Sequence, residues 1–140
     1  MPAVSRLLIR TAAAYLVVGM ACGVLAVLPP DLLPAAGGRG LAMATVHLLT
    51  VGWITQLIFG VALWMFPRPG RPRSLPDRTL DRVAWGVLNA GLLGRLAVEP
   101  GWTVAPGGSA WRWTLLLSAV LQWAAVLYFA ARLWPRVRSR

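Results

Sequence analysis

The chain has 140 residues, of which 58% are hydrophobic and 13% are charged, and its formal net charge is +10. Because a soluble domain carries about a quarter charged residues, this composition is typical of a membrane protein. The positive charge would suit nucleic acid, but the arginines stand in short clusters between long apolar runs, and no stretch offers the polar, solvated face that tracking a nucleic-acid backbone needs. We therefore expect the lipid bilayer as a partner, and no nucleic acid.

The first apolar run extends from about Leu7 to Leu28 and ends at two prolines. About 20 apolar residues are what one helix needs to cross a bilayer. Arg6 and Arg10 precede the run as in a signal peptide, but the run is too long and no small-residue cleavage site closes it. We expect an uncleaved first span. The single Cys22 excludes an intrachain disulfide and is interpreted as a small core residue.

The second span is predicted at about Leu41 to Phe66, after a Pro/Gly/Ala-rich loop over residues 31–40. Pro67 ends it, since proline cannot continue a helix. The span contains His47, the only histidine of the chain. An ionisable side chain inside an apolar segment is expensive, so His47 is a hypothesis for a functional site by default.

The stretch over residues 67–82 is the most charged of the chain, and its four prolines predict a connecting loop. Thr79 is the expected N-cap of the next helix. The third span is predicted at about Leu80 to Val98 and is the weakest, since it contains Asn89 and three glycines. Arg95 lies four residues before Glu99, so the two can pair on one helical face.

The fourth span is predicted at about Trp111 to Leu133, after a Gly/Pro-rich loop over residues 100–110. Residues 1–140 thus form a single membrane domain with spans at about 7–28, 41–66, 80–98 and 111–133. The fold class that follows is all-α: an antiparallel bundle of four transmembrane helices with short connections.

Orientation follows from the arginines, since cytoplasmic loops carry an excess of them. Eleven arginines lie in the N-terminus, the middle loop and the C-terminal tail, against three on the other side. The three are Arg39, Arg95 and Arg112. This asymmetry predicts both termini in the cytoplasm, an arrangement that four spans satisfy and three or five do not. We expect the chain in the bacterial inner membrane.

Two faces of the second span differ when the helix is turned by 100° per residue. His47 shares one face with Thr50, Val51, Ile54 and Ile58. The opposite face carries Thr45, Gly52, Gln56 and Gly60, small and polar residues of the kind that let membrane helices approach closely. Ser118 and Gln122 of the fourth span are expected to face this seam. The simplest interpretation of these polar residues is that they hold helices together.

Three interpretations of His47 stay open. In the first it is a neutral imidazole, hydrogen-bonded within the bundle or reaching outward, and its Cα lies about 9–10 Å inside the outer end of the helix. In the second it is an axial ligand of heme iron, for which imidazole is a common ligand. In the third it carries a proton or contacts a substrate. No membrane-embedded carboxylate is expected as its relay partner, which also argues against a small proton-coupled exporter.

A resemblance favours the second interpretation. The segment from His47 to Trp53, followed by Ile58-Phe59-Gly60 and closed by Phe66-Pro67-Arg68, resembles helix II of the catalytic subunit of heme-copper oxidases and nitric oxide reductases. It is even more similar to short, four-span bacterial proteins related to that subunit. The helix II histidine is an axial heme ligand there, so the resemblance implies heme b with His47 as the metal ligand. The candidates for the heme propionates are Arg39, Arg95 and Arg112.

The chain departs from this family at several positions. The short relatives often have further histidines where this chain has Thr45 and Trp64. With one histidine, no copper site or oxygen-reducing centre of the family kind can form. The resemblance therefore implies a five-coordinate heme iron, or a heme shared by two chains.

The expected function is that of a b-type heme-binding or redox-accessory membrane protein related to heme-copper oxidase subunit I, and not itself an oxidase. A homodimer or a larger membrane complex is the expected partner. The alternative is a structural or assembly subunit without a cofactor. A small transporter or channel subunit is the third hypothesis.

Overall fold

The computed structural model describes residues 1–29, 35–66, 75–102 and 108–138, and these residues are helical apart from short ends. Four helices follow one another: α1 (Ala3–Ala26), α2 (residues 35–65), α3 (Leu75–Trp102) and α4 (Ser109–Arg138). The second is continuous but has three parts, an α-helix (Ala35–His47), a π-helix (Leu48–Thr55) and a second α-helix (Gln56–Met65). The all-α prediction is confirmed.

The helices extend beyond the predicted spans at six of their eight ends. The predicted loops over residues 31–40 and 67–82 were too long, because α2 begins at residue 35 and α3 at Leu75. Thr79 is therefore inside α3, so its assignment as the N-cap was wrong. Pro76 is the second residue of α3, where the missing N–H has no helical partner to lose. Pro100 and Pro135 lie near the last turns of α3 and α4, where little of each helix remains to be broken.

Consecutive helices run antiparallel. A Cβ on Gly38 would lie 3.1 Å from the Ala26 carbonyl oxygen, which brings the end of α1 to the start of α2. One on Gly40 would overlap the Glu99 carbonyl and lie 2.6 Å from the Pro100 Cα, which brings the end of α3 there too. We call this end of the bundle the His47 end. The opposite end, where α1 and α3 begin and α2 and α4 finish, is called the Asp81 end.

All four helices contribute to one apolar cluster near the Asp81 end. The main apolar cluster contains residues of all four helices, among them Leu8, Leu63, Ala84 and Phe129. Phe59 and Phe129 stack there with ring centroids 5.2 Å apart. The first and fourth helices do not meet directly, because no Cα atom of α1 lies within 8 Å of one in α4 among the described residues. The fourth helix therefore packs mainly on α3.

One side of α2 is buried through the π-helix and on both sides of it. The buried residues of α2 recur there at intervals of four: Ala44, Leu48, Gly52, Gln56 and Gly60. In a regular α-helix each interval of four residues drifts by about 40°, so this row would wind around the helix. Over residues 48–55 the wider turn of the π-helix offsets this drift. The two faces predicted for α2 agree with the structure, since Thr50, Ile54 and Ile58 are exposed.

Among the described residues, three helices are long and apolar enough to cross a membrane: Ala3–Ala26, Gly38–Met65 and Ser109–Val137. Large apolar side chains cover much of their outer surface, including Val17, Ile58 and Trp123. The third helix has 28 residues but carries ionisable residues at both of its ends. A membrane protein is thus a physically sound reading of the chain.

Candidate functional site

His47 is fixed by hydrogen bonds at both ring nitrogens. Its Nδ1 lies 3.0 Å from the Met43 carbonyl oxygen, one turn earlier in α2. Its Nε2 lies 3.2 Å from Nη1 of Arg95 in α3. Since a carbonyl only accepts and a guanidinium only donates, the proton of a neutral imidazole is on Nδ1 and Nε2 accepts. The His47 side chain is 31% exposed.

Glu99 completes the cluster. Its Oε1 accepts from Nη1 of Arg95 at 2.9 Å, so the pair predicted from the spacing of four is confirmed. The same Oε1 lies 3.2 Å from Nδ1 of His47. No membrane-embedded carboxylate was expected as a relay partner of His47, but the buried Glu99, one residue beyond the predicted third span, lies beside it. The antiparallel arrangement was predicted, but the sequence did not show which residues of α2 and α3 meet.

Two polar atoms of this cluster are buried without a hydrogen-bond partner among the described residues. They are Oε2 of Glu99 and Nε of Arg95. Glu99 as a whole is only 5% exposed. The cluster thus retains one acceptor and one donor, and a buried atom of either kind is costly until it is paired.

The structure separates the predicted site residues into two groups. His47 and Arg95 are in contact, as described above. Arg39, at the start of α2, and Arg112, in the first turn of α4, are both exposed. They belong to the same end of the bundle, but no hydrogen bond or ion pair within the described ranges joins them to His47.

A second charged cluster, at the Asp81 end, was not predicted. Asp81 is fully buried, and its Oδ1 accepts from the Tyr128 hydroxyl at 2.8 Å and from Arg132 Nε at 3.1 Å. Nη2 of Arg132 lies 2.8 Å from Asp77. The sequence carried a signal for this cluster. Two acids four apart in α3 face a tyrosine and an arginine four apart in the antiparallel α4.

Arg136 caps α2 from a neighbouring helix. Its Nη1 donates to the carbonyl oxygens of Phe66, at 3.0 Å, and Leu63, at 3.4 Å. Carbonyls at a helix C-terminus have no partner within the helix and carry partial negative charge. The buried guanidinium supplies a hydrogen-bond donor and a positive charge to these carbonyls, and so connects the ends of α2 and α4.

Polar residues midway along the helices form interhelical hydrogen bonds. The Thr11 hydroxyl lies 2.7 Å from Oε1 of Gln56, and Gln56 exchanges hydrogen bonds with Asn89 at 3.3 and 3.4 Å. The indole of Trp85 donates to Thr11 at 3.3 Å. These contacts join α1, α2 and α3, which agrees with the interpretation of the seam as packing.

The expectation that Ser118 and Gln122 face the seam of α2 was wrong. The Ser118 hydroxyl donates to the Gly91 carbonyl of α3 at 2.6 Å, and Gln122 donates to Ser118 at 3.0 Å. The reason is that α4 packs mainly on α3. Gly91 allows this approach, since a Cβ there would lie 2.9 Å from the Ser118 carbonyl oxygen.

The tautomer of His47 is the one that an axial heme ligand requires. Histidines that bind metals usually donate the other ring N–H to a carbonyl or carboxylate, as Nδ1 of His47 does. The lone pair of Nε2 is then directed at Nη1 of Arg95, which would have to move for a metal to bind there. Within the described ranges, no group of three or more His, Cys, Asp or Glu side chains could hold a metal ion.

Comparison with known proteins does not assign the chain to a family. No family model matches the chain, and no curated protein or solved structure matches it. The likeness to helix II of the oxidases therefore rests on the residues of the His47–Pro67 segment alone.

Proposed function

We propose that this chain is a membrane-embedded b-type heme-binding or redox-accessory protein related to heme-copper oxidase subunit I, and that it is not itself an oxidase. The observation that carries the proposal is the hydrogen bonding of His47. With Nδ1 donating to the Met43 carbonyl, the lone pair is on Nε2, the atom that binds iron in axial ligation.

His47 would hold the iron, and Arg95 would move from Nε2 to a propionate while keeping its contact with Glu99. Arg39 and Arg112 are further cations at this end of the bundle. The bound heme would supply one-electron chemistry. The chain itself orients the ligand through Met43 and Glu99. With a single histidine, the heme is five-coordinate or is shared by two chains.

The absorbance spectrum of the purified full chain tests this proposal. We expect a Soret band that His47→Ala abolishes. Thr50→Ala is the matched control, since Thr50 lies one turn further on the same exposed face. A band of full height in His47→Ala would contradict the ligand assignment. The heme-to-chain ratio separates the two coordination states, with one heme per chain or one per two chains.

The second candidate is a structural or assembly subunit without a cofactor. The contact between Arg95 and Nε2 favours it, because His47 is already hydrogen-bonded on both sides. Arg95→Leu distinguishes the candidates in the presence of added heme. If the arginine binds a propionate, the variant takes up less heme than the wild type. If His47 only packs, neither protein takes up heme.

We also propose four spans in a bacterial inner membrane, with both termini in the cytoplasm. Support comes from α3, which contacts α2 at Glu99 and at Asn89 and contacts α4 at Asp81. A helix that lies alongside its neighbours over this length is expected to cross the membrane together with them. A reporter enzyme inserted at Gly70 should be active only on the cytoplasmic side. Activity confined to the periplasm would contradict this topology.

A further inference from the structure

Charges are sorted by side at the start of α3. Asp77 and Asp81 face α4, where Arg132 contacts both. Arg78 and Arg82, the residues that directly follow these acids, are exposed. The acids of α3 are thus used inside the bundle, and its arginines are left on the surface.

The first helix adds two more exposed arginines, Arg6 and Arg10, four residues apart. The hydrogen bond from Trp85 to Thr11 sets α1 and α3 at a common level. Counting back from that level at 1.5 Å per residue, the four arginines lie about 1.5 to 10.5 Å toward the Asp81 end. We call Arg6, Arg10, Arg78 and Arg82 the cationic face.

No exposed carboxylate stands among the described residues of this end. The chain has four acidic residues in all. Asp81 is buried and Asp77 is paired with Arg132. Glu99 is at the opposite end, and Asp31 lies outside the described residues, between α1 and α2. Within each helix, Arg6 with Arg10 and Arg78 with Arg82, like charges four residues apart repel one another unless an anion from outside lies near them.

We propose that the cationic face binds the phosphate-bearing headgroups of anionic phospholipids in the adjacent leaflet. Arginine side chains at the end of a membrane helix extend along it to the headgroup level. The guanidinium then binds phosphate oxygens through two parallel hydrogen bonds. Phosphodiesters are the anions that the bilayer itself supplies at this depth. The inference is independent of heme.

The test is native mass spectrometry of the full chain released from phosphatidylcholine vesicles that contain phosphatidylglycerol with matched acyl chains. The wild type should retain phosphatidylglycerol above its share of the vesicle. Each arginine near an anionic surface strengthens binding to that surface about fivefold. The double variant Arg78→Gln with Arg82→Gln should therefore lower the phosphatidylglycerol enrichment at least about fivefold. Arg78→Lys with Arg82→Lys keeps both charges and should retain most of it.

The matched control is Arg39→Gln with Arg112→Gln, which removes two exposed arginines from the His47 end. It should leave phosphatidylglycerol retention unchanged. The proposal is overturned if the Arg78/Arg82 glutamine variant retains as much lipid as the wild type, or if the control loses as much. It is also overturned if inorganic phosphate, added before release, replaces the lipid on the wild type.

Discussion

The two ends of the bundle carry the same kinds of side chain in different states. At the Asp81 end, one fully buried carboxylate oxygen accepts from both a tyrosine and an arginine, where all four helices meet. At the His47 end, a buried glutamate carboxylate lies beside a histidine whose side chain is 31% exposed.

This difference separates a structural role from a functional one. A cluster whose contacts lie within the bundle holds helices together and leaves little for a ligand to bind. A cluster that contains a partly exposed imidazole can accept one. Three predictions test whether the two ends differ in this way.

The largest effect is expected from Arg132→Gln at the Asp81 end. The change leaves Asp77 and Asp81 without this cation, and Asp81 has a side chain only 1% exposed. Removing one partner of a buried ion pair costs about 3 to 5 kcal/mol of unfolding free energy. Unfolding in mixed detergent, followed by circular dichroism, measures it. Arg112→Gln, on the exposed part of the same helix, is the control. A loss below about 1 kcal/mol would remove the structural role.

The next effect concerns the packing of α2 on α1. A Cβ on Gly52 would lie 2.8 Å from Tyr15 Cγ, and one on Gly60 would lie 2.9 Å from Ile9 Cγ1. We expect Gly52→Ala and Gly60→Ala each to cost about 1 to 3 kcal/mol, because the neighbours must shift. Gly86→Ala is the control, since no atom lies within 4 Å of its added Cβ. It should be neutral or stabilise by up to about 1 kcal/mol. Equal effects at Gly60 and Gly86 would show that the close approach does not matter.

The smallest effect is expected from Glu99→Gln at the His47 end. The amide oxygen still accepts from Arg95, whose side chain is 18% exposed and can extend to water. The unfolding free energy should fall by about 1 kcal/mol, the typical worth of one hydrogen bond. The same detergent unfolding, run beside Asp81→Asn, compares the two ends directly. If Glu99→Gln were the more destabilising of the two, the His47 end would be the structural one.

Much of this fold is predictable because the hydropathy pattern reflects the burial of apolar side chains away from water, which is a large energetic effect. Four apolar runs separated by proline-rich stretches predict four helices, and the helices are present. Their ends were misplaced because proline is tolerated in a first or last turn, as Pro76 and Pro100 show. The π-helix over Leu48–Thr55 was not predicted, because turning the chain at a fixed 100° per residue assumes a regular α-helix.

The candidate site was predictable only within single helices. The spacing of Arg95 and Glu99 is a local property, and their pair is confirmed. The approach of Glu99 to His47 depends on how far α2 and α3 are shifted along each other. The spacing of residues along the chain does not determine this shift. The same holds for Ser118, whose partner was decided by α4 packing on α3 rather than on α2.

The pairing of α3 with α4 has a consequence for the synthesis of the chain. Asp77 and Asp81 meet Arg132 only after α4 has been made, and α3 lies outside the set of helices apolar enough to cross by themselves. In the four-span arrangement proposed above, we expect α3 to remain at the surface of the insertion channel until α4 is made, and to enter the bilayer together with α4 as a helical hairpin. A nascent chain that ended at residue 108 would then keep its last helix outside the membrane.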